Sequence, residues 1–320
     1  MYDNIRKMID DVIRENTPES VLFSGGIDSS AILYNAHIYN PNVMGITVGV
    51  EGKESSDIEY SKMVANKLGI TNHRIFYVSE QKVKDMVETA VKILKSFNPE
   101  WVSSTTTLLL GTMYAKNEGL NSISSGEGAD DLLGSFPFFK NWKGDYKSLD
   151  IAIKDRLTEI VVMSDVIAQS MNMRYIAPFQ NEMVKKEILS IPIEERMKVE
   201  GKYNSKYPLR KAYEGILPEY CITRSQTMAF TGSGIYDTIK SIGDDISDEE
   251  FFKASKEIFI FRNKFEYALF KYSKNYKFEQ IKHGGCVHCG SDMGSNKINC
   301  KICATLQIDG KELSFDGENR

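Results

Sequence analysis

The stretch SVLFSGGIDSSAIL, residues 20–33, joins two short apolar runs through a pair of glycines, an aspartate and two serines. We predict that a strand ends at Phe23 and that a helix begins near Asp28, with Gly25 and Gly26 letting the backbone approach a ligand. Exposed N–H groups at a helix N-terminus favour anions, and phosphate is the usual one. A phosphate site is therefore the first hypothesis for this turn.

The chain beyond this turn alternates between strand-like and helix-like patterns as far as about residue 177. Segments of helical period separate runs rich in branched apolar residues, at 21–23, 43–50, 73–78, 121–125 and 174–179. This alternation predicts an α/β fold with a doubly wound, mainly parallel sheet covered by helices on both faces. Ligands in such folds collect beyond the carboxyl ends of the strands.

Composition predicts three parts: an α/β domain over 1–235, a helical region over 236–280 and a small module over 281–320, where Gly, Cys, Asn and Lys become frequent. A net charge of −4 does not suit a dedicated nucleic-acid binder. No stretch approaches the roughly 18 apolar residues of a membrane span. The charged N-terminus does not resemble a secretory signal, and four of five cysteines form CxxC pairs, so a reducing, cytoplasmic location is expected.

The first loop is not a Walker A loop, because Ile27 follows Gly26 and no lysine lies nearby. Asp28 beside a polyphosphate would be repelled unless a divalent cation bridged them, so magnesium is implied if phosphate binds. The alternative is a tight glycine turn with a helix cap, which requires no ligand.

A second loop, NSISSGEGADDLLG at 121–134, repeats the pattern: two glycines flank Glu127, and Asp130 and Asp131 open another helix. Three carboxylates crowded at one strand end would repel one another without a cation or a proton. The cation of a metal-bound polyphosphate between the two loops would relieve this repulsion. Acidic helix capping explains either aspartate but not the glycines around Glu127.

Four segments in order resemble one known family. SGGIDSS (24–30) resembles the signature of the N-type ATP pyrophosphatases, and SGEGADDLLGS (125–135) resembles the second signature of the asparagine synthetase synthetase domain. SDIEYSKMVANKLGITNHRIFYV (56–78) and KYPLRKAYEGILPEY (206–220) are similar to two further segments of that family. The chain is identified as a member of the asparagine synthetase family, in the PP-loop superfamily with its adenine nucleotide alpha hydrolase-like fold.

The resemblance implies an AMP-forming carbon–nitrogen ligase that uses ATP and Mg²⁺. A substrate carboxylate would be adenylated with release of pyrophosphate, and an amine would then displace AMP to give an amide. Catalytic residues would be Glu127, Lys206 and Arg224, with Lys206 stabilising negative charge. Magnesium would bind Asp28 and Asp130. The nucleotide would contact Leu22, Ser24, Gly25, Gly26, Asp28, Ser29, Val48, Ser125 and Gly126.

The sequence departs from the family in two places. It reaches the first loop by Ser24, which leaves no room for an N-terminal glutaminase domain, so ammonia is expected from solution or from a separate glutaminase subunit, unless a substrate amine replaces it. After Arg224, the family's lysine is replaced by Ser225 or Gln226, and the following GSG looks closer to the β-lactam synthetase branch. The identity of the small-molecule carboxylate substrate is therefore left open. The sequence also leaves open whether the protein forms a homodimer.

The C-terminal module contains two CxxC pairs ten residues apart, formed by Cys286, Cys289, Cys300 and Cys303. Two such knuckles provide the four-thiolate cage of structural zinc, which we predict here in preference to an iron–sulfur or redox site. The spare His283 and His288 are expected to face solvent. A module this small would obtain much of its folding energy from the metal.

Residues 253–303 leave an alternative open. Residues 253–301 contain ten Lys or Arg and four acidic residues, a surplus that suits tRNA contact, although packing on a helix face explains the aromatics at 261, 265 and 272. A tRNA-modifying or sulfur-transferring ATP pyrophosphatase is thus the second hypothesis, weakened by the isolation of Cys221, which is expected to be a buried structural cysteine. The third hypothesis is a non-catalytic partner that binds a nucleotide, or a protein through its C-terminal module. The intact set of Asp28, Glu127, Asp130 and Lys206 disfavours it.

Overall fold

The computed structural model describes residues 2–158, 162–225, 229–273, 285–293, 300–305, 307–308 and 311–312. Several residues named above or counted among the basic ones lie outside these ranges: Gln226, Lys274, Lys277, Lys282, His283 and Lys297. The chain forms two compact units. Unit 1 comprises Met1–Tyr77 and Leu108–Ser233, and unit 2 comprises Val78–Thr107 and Gly234–Arg320.

Unit 1 is built on a five-stranded sheet. Its strands are β1 (Ser20–Leu22), β2 (Met44–Val50), β3 (His73–Val78), β4 (Ser122–Ser124) and β5 (Arg174–Ile176). The strand order is β3-β2-β1-β4-β5, and the pairs β1–β2, β1–β4 and β4–β5 are parallel. All five apolar runs therefore form strands, and the predicted doubly wound α/β fold is confirmed.

Seventeen α-helices are found in the described ranges. They are α1 (Asp3–Glu15), α2 (Ile27–Tyr39), α3 (Ser56–Leu68), α4 (Glu80–Leu94), α5 (Pro99–Asn117), α6 (Ala129–Leu132), α7 (Pro137–Lys140), α8 (Tyr146–Leu157), α9 (Met163–Ser170), α10 (Glu182–Ser190), α11 (Ile193–Arg196), α12 (Tyr207–Ala212), α13 (Glu219–Thr223), α14 (Ala229–Gly232), α15 (Ile235–Lys240), α16 (Asp248–Glu257) and α17 (Lys264–Ser273). Single 3₁₀ turns occur at Pro178–Gln180 and Ser241–Asp245. Among these helices, none combines the length and apolar character needed to cross a bilayer.

The two faces of the sheet are covered by different apolar clusters. Val21 and Phe23 belong to the larger cluster, whereas Leu22 packs with the smaller one, as the alternation of a strand requires. Residues of α1, α2 and α12 cover the first face. Ala115 of α5 and Ala168 of α9 pack on the second. The apolar runs are nearly continuous because both faces are buried.

Helix α1 is amphipathic in the way its sequence predicts. Ile5, Ile9 and Ile13 recur every four residues and are fully buried, while charged residues occupy most of the remaining positions. The helix packs against α2, α10 and α12. It therefore closes the larger apolar cluster of unit 1.

Unit 2 has its own aromatic core. Phe97 contacts Phe259 and Phe270 at ring-centroid distances of 5.9 and 5.5 Å, and Phe261 lies 5.1 Å from Phe270. A short antiparallel hairpin, β6 (Gln307–Ile308) and β7 (Lys311–Glu312), follows the second cysteine pair. Compact units need not coincide with evolutionary domains, so the three boundaries drawn from composition stay a prediction.

Candidate active site

The two glycine loops lie at the point where the strand order of the sheet reverses. The chain continues from β1 to β2 on one side, and β4 and β5 lie on the other side of β1. Residues 24–26 follow β1, and residues 125–128 follow β4. In a doubly wound sheet, ligands bind in the crevice that opens beyond the carboxyl ends of the strands at this point.

The loops are in direct contact. A Cβ atom placed on Gly126 would lie 2.7 Å from Cβ of Asp28 and 3.2 Å from the backbone nitrogen of Ser29. Any side chain at position 126 would force the second loop away from the first helix turn. The structure thus brings together the two loops that the sequence predicted to share one ligand.

The first loop is held in shape by its own serines and by α3. The hydroxyls of Ser24 and Ser29 share a hydrogen bond of 3.2 Å, and Gly26 N–H donates to Ser24 Oγ at 3.3 Å. Gly25 has a φ of +72°, and a Cβ there would lie 2.5 Å from the backbone nitrogen of Ser61. A Cβ on Gly26 would meet only Ser24 Oγ, at 3.3 Å. Gly25 therefore has no room for a side chain against α3, whereas there is space beside Gly26.

A buried charge cluster joins the two loops. The Lys206 ammonium contacts Asp28 Oδ2 and lies 2.9 Å from Asp130 Oδ1. Burial by itself would lower the pKa of Lys206, but the two carboxylates outweigh it and raise the pKa. Burial raises the pKa of Asp28 in spite of Lys206. At Asp130, Lys206 and the Ser135 hydroxyl overcome the effect of burial and lower the pKa.

Asp28 has one oxygen that no described group satisfies. Its Oδ1 is buried and has no hydrogen-bond partner among the described residues. A buried carboxylate oxygen without a partner is costly, so a ligand or cation is expected to complete it. Carboxylate oxygens are the ligands that Mg²⁺ prefers, and Asp130 lies across the same lysine. Asp28 and Asp130 therefore fit the magnesium ion predicted from the sequence.

Glu127 caps a helix. Its Oε1 and Oε2 each accept a hydrogen bond of 2.9 Å, from the backbone N–H groups of Met163 and Ser164 at the start of α9. Burial raises the pKa of Glu127, and these hydrogen bonds oppose the shift. Val162, the residue before α9, contributes no side-chain cap. Glu127 thus occupies the capping position at this helix, a role that the sequence did not reveal.

Ser125 is buried at the end of β4. Its hydroxyl lies 2.7 Å from the hydroxyl of Tyr175 and 3.2 Å from that of Ser164, and it accepts a hydrogen bond from the backbone of Glu127 at 3.3 Å. Burial raises the pKa of Tyr175. These contacts tie the second loop to β5 and α9 and so fix its position.

Arg224 reaches back to the first loop. Its guanidinium donates to the carbonyl of Ser24 at 2.7 Å and to Asp57 Oδ1 at 2.8 Å, and it lies over the ring of Tyr60 at 4.2 Å. The side chain is almost fully buried. Arg224 therefore holds the backbone of the first loop.

The two predicted adenine neighbours are adjacent in space. A Cβ placed on Gly111 of α5 would lie 2.4 Å from Cδ2 of Leu22 and 3.3 Å from Cγ2 of Val48. Leu22 and Val48 thus form one apolar surface on adjoining strands, next to the first loop. Gly111 of α5 packs against both side chains, and their contact with an adenine base stays a prediction.

Two residues of the site were missed at the sequence level, although both lie in the quoted segments. Asp57 is buried beside Arg224, and burial raises its pKa to about 6, against the lowering effect of the guanidinium. Arg210 is buried and donates to the carbonyls of Ser205 and Arg224 at 2.7 and 3.0 Å and to that of Ile222. The available signal was their place in the two segments that resemble the family, since both helices carry other charged residues as well.

The four cysteines of unit 2 converge. Cys286 and Cys303 Sγ atoms are 3.5 Å apart, those of Cys289 and Cys300 are 3.7 Å apart, and all four lie within 4.8 Å of one another. Sulfurs bound tetrahedrally at about 2.3 Å from a zinc ion would be roughly 3.8 Å apart. The cysteines are therefore placed to hold one metal ion.

His288 does not face solvent, contrary to the prediction. Its Nε2 lies 3.0 Å from Oε1 of the buried Glu266, which also pairs with Arg262 at 2.8 Å. Arg262 in turn donates to Thr305 Oγ1 at 2.5 Å. A buried carboxylate on α17 requires partners, and His288 supplies one of them. The first cysteine pair is thereby attached to α17.

One family of known proteins matches this chain. The family model for asparagine synthase matches residues 2–175, more than half of the chain. The chain belongs to the asparagine synthase family. Arabidopsis thaliana glutamine-hydrolyzing asparagine synthetase 1 is 26% identical over 258 residues, which are 75% of this chain and 43% of that protein. Escherichia coli K12 glutamine-hydrolyzing asparagine synthetase B is 22% identical over 298 residues, 82% of this chain and 53% of that protein.

The chain spans about half the length of the curated asparagine synthetases that it matches. Among solved structures, the U34-tRNA thiolase NcsA from Methanococcus maripaludis with its 4Fe–4S cluster shares 12% identity at a TM-score of 0.30. That match covers 95% of this chain and 82% of the thiolase. A TM-score this low implies neither a shared fold nor a shared function.

The two glycines of the first loop are expected to respond differently to alanine. Gly25→Ala should destabilise unit 1 by about 2 kcal/mol or more, because it combines a positive φ with a backbone clash at Ser61. Gly26→Ala, the matched control, should leave the melting temperature nearly unchanged yet weaken MgATP binding. Thermal unfolding and calorimetric titration measure both. Equal destabilisation by the two variants would contradict the division of roles.

Protonation of Asp57 should loosen the first loop. The ion pair with Arg224 requires the ionised carboxylate, so MgATP affinity should fall as the pH drops through about 6. Asp57→Asn should bind roughly tenfold more weakly at pH 7.5 and lose this part of the pH dependence. The effect of Asp57 on the free energy of unfolding has the opposite sign. Because folding raises the pKa of Asp57, its protonation stabilises the folded state at a pH below the pKa of the unfolded chain. This stabilisation is lost as the pH rises through about 6.

The ratio of wild-type to Asp57→Asn affinity between about pH 5 and 8 isolates this group from the titration of the nucleotide. A ratio that does not change with pH would show that Asp57 is not coupled to the loop.

Proposed function

We propose that this asparagine synthase family member is an ATP-dependent ligase that adenylates a substrate carboxylate and then forms an amide. The observation that carries the proposal is the cluster of Asp28, Asp130 and Lys206 between two touching glycine loops, with one Asp28 oxygen unsatisfied. Family membership supports ATP use. Neither loop alone would support the proposal as strongly, because the two aspartates come from loops that are distant in the chain.

In the proposed reaction, a carboxylate oxygen of the substrate attacks the α-phosphorus of ATP, and pyrophosphate leaves. An amine nitrogen then attacks the acyl carbon, loses a proton, and AMP leaves. Ser24, Gly25, Gly26 and Ser29 would hold the pyrophosphate, and Leu22 and Val48 would border the adenine. Asp28 and Asp130 would hold Mg²⁺, which when bound neutralises phosphate charge.

Lys206 would stabilise negative charge as it develops on the phosphates, since it is a fixed cation in a buried site. Arg224 would contribute by positioning the Ser24 carbonyl. Ser125 and Gly126 would border the nucleotide from the second loop. Glu127 stays a predicted catalytic residue near the reacting centre, and both of its oxygens accept hydrogen bonds from the start of α9.

The substrate class is a small carboxylate, and the nitrogen would come from free ammonia, from a separate glutaminase subunit or from a substrate amine. We propose that the four cysteines hold Zn²⁺, because their sulfur separations suit a tetrahedral thiolate site. A homodimer and a cytoplasmic location remain expectations from the sequence.

RNA contact through unit 2 is the second proposal. Lys253, Lys256 and Lys301 are exposed there, which favours a polyanionic partner. Arg262, Lys264 and Lys271 instead pair with acidic side chains, which reduces the positive surplus counted from the sequence. The ligase therefore stays the first proposal.

Pyrophosphate release should identify the acceptor. Purified protein with MgATP would be tested with aspartate, related acids or tRNA, each with ammonium or glutamine. Release should depend on one acceptor and should fall by about a hundredfold or more in Asp28→Asn. The exposed Asp245→Asn is the matched control and should behave as wild type. Unchanged release in Asp28→Asn would overturn the proposal, and release with tRNA but no acid would replace it with the second.

Metal content should follow the four cysteines of unit 2. We expect one zinc per chain by elemental analysis, lost in Cys303→Ser and retained in Cys221→Ser. Cys221 is buried in unit 1, where burial raises its pKa to about 11, so it is not a ligand candidate. Removing zinc should lower the unfolding temperature, because the metal links segments with little core of their own. Iron in place of zinc, or zinc retained in Cys303→Ser, would contradict this assignment.

A further inference from the structure

Lys206 spans the space between the two loops. Its ammonium contacts Asp28 Oδ2 and lies 2.9 Å from Asp130 Oδ1, and 3% of its side chain is exposed. These are the carboxylates that we propose as ligands of a divalent cation. The ammonium of Lys206 thus contacts the same two carboxylates to which the divalent cation would bind.

The fold fixes this lysine in place. Lys206 has a φ of +53°, in the left-handed region that non-glycine residues rarely adopt, and it directly precedes α12. Arg210 donates to the carbonyl of the preceding Ser205 at 2.7 Å. A residue kept in a costly conformation by buried contacts indicates that the position of its side chain matters.

The Lys206 ammonium and a divalent cation would compete for the carboxylates of Asp28 and Asp130. A divalent cation bound to Asp28 and Asp130 would face the ammonium across the same oxygens, and like charges at such distances repel strongly in a buried site. The oxygens of a triphosphate would offer the ammonium a second set of anionic acceptors. Asp28 Oδ1, which Lys206 leaves without a partner, is the oxygen first available to the incoming cation.

We infer that Lys206 is a latch: it competes with the divalent cation for Asp28 and Asp130, so that the cation binds tightly only together with a nucleotide polyphosphate, onto which the ammonium shifts. The inference rests on the proposed function, because it assumes that a nucleotide–metal complex is the ligand. Lys206 would then favour binding of the cation together with a nucleotide over binding of the free cation, in addition to its predicted role in catalysis.

Binding of Mn²⁺ without nucleotide tests the latch. The full chain, with its cysteine-bound metal retained, would be titrated with Mn²⁺ and the free ion measured by electron paramagnetic resonance. Wild type should bind weakly, and Lys206→Met should bind roughly tenfold more tightly or better, because the positive charge that competes for the two carboxylates is removed. Lys211→Met, in the helix that follows Lys206 and paired with Glu214, should match wild type. The gain should disappear in Lys206→Met combined with Asp28→Asn.

Equal Mn²⁺ affinity in wild type and Lys206→Met would overturn the latch, as would the absence of binding in both. If Lys206→Met fails to fold by circular dichroism, Lys206→Gln, which keeps hydrogen-bond donors but no charge, must show the same direction of change. A failed latch leaves pyrophosphate release dependent on Asp28. Release that is independent of Asp28 overturns the proposed function whatever the Mn²⁺ titration gives.

Discussion

The contact between Gly126 and Asp28 is the constraint on which the site depends. A methyl carbon on Gly126 would lie only 2.7 Å from Cβ of Asp28, so that nothing larger than a hydrogen atom fits at position 126. Parallel pairing of β1 with β4 brings the two strand ends together, and the missing side chain lets the loops touch. Two carboxylates that are distant in the chain, those of Asp28 and Asp130, thereby reach one lysine.

A single buried guanidinium then connects the remaining parts. Arg210 donates to the carbonyl of Ser205, beside Lys206, and to that of Arg224. Arg224 in turn donates to the carbonyl of Ser24 and pairs with Asp57 at the start of α3. Because each donor is buried, the loss of one contact leaves an unsatisfied charge, which costs more than an exposed hydrogen bond. The two loops and the lysine are therefore positioned as one network.

The sequence predicted the parts of the structure that local pattern determines. Five apolar runs form five strands because both faces of the sheet are buried, and the glycine turns located the loops. The contacts of Asp57, Arg210 and Glu127 depend on segments distant in the chain, such as the carbonyls near Arg224 and the amides that open α9. Neither spacing nor periodicity carries this information. Similarly, apolar periodicity cannot show that residues 78–107 group with residues 234–320.

The acidic residues of the second loop show why the crowding of carboxylates alone does not require a metal. Asp130 faces Lys206, Asp131 pairs with Arg156 at 2.6 Å, and Glu127 accepts two backbone N–H groups. Each charge has its own protein partner, so the repulsion expected from the sequence is relieved without an added cation. The carboxylate oxygen that has no protein partner here, among the described residues, is Oδ1 of Asp28 in the first turn of α2. A cation would therefore bind at this one oxygen and at the carboxylate of Asp130, and Lys206 contacts both side chains, at Oδ2 of Asp28 and Oδ1 of Asp130.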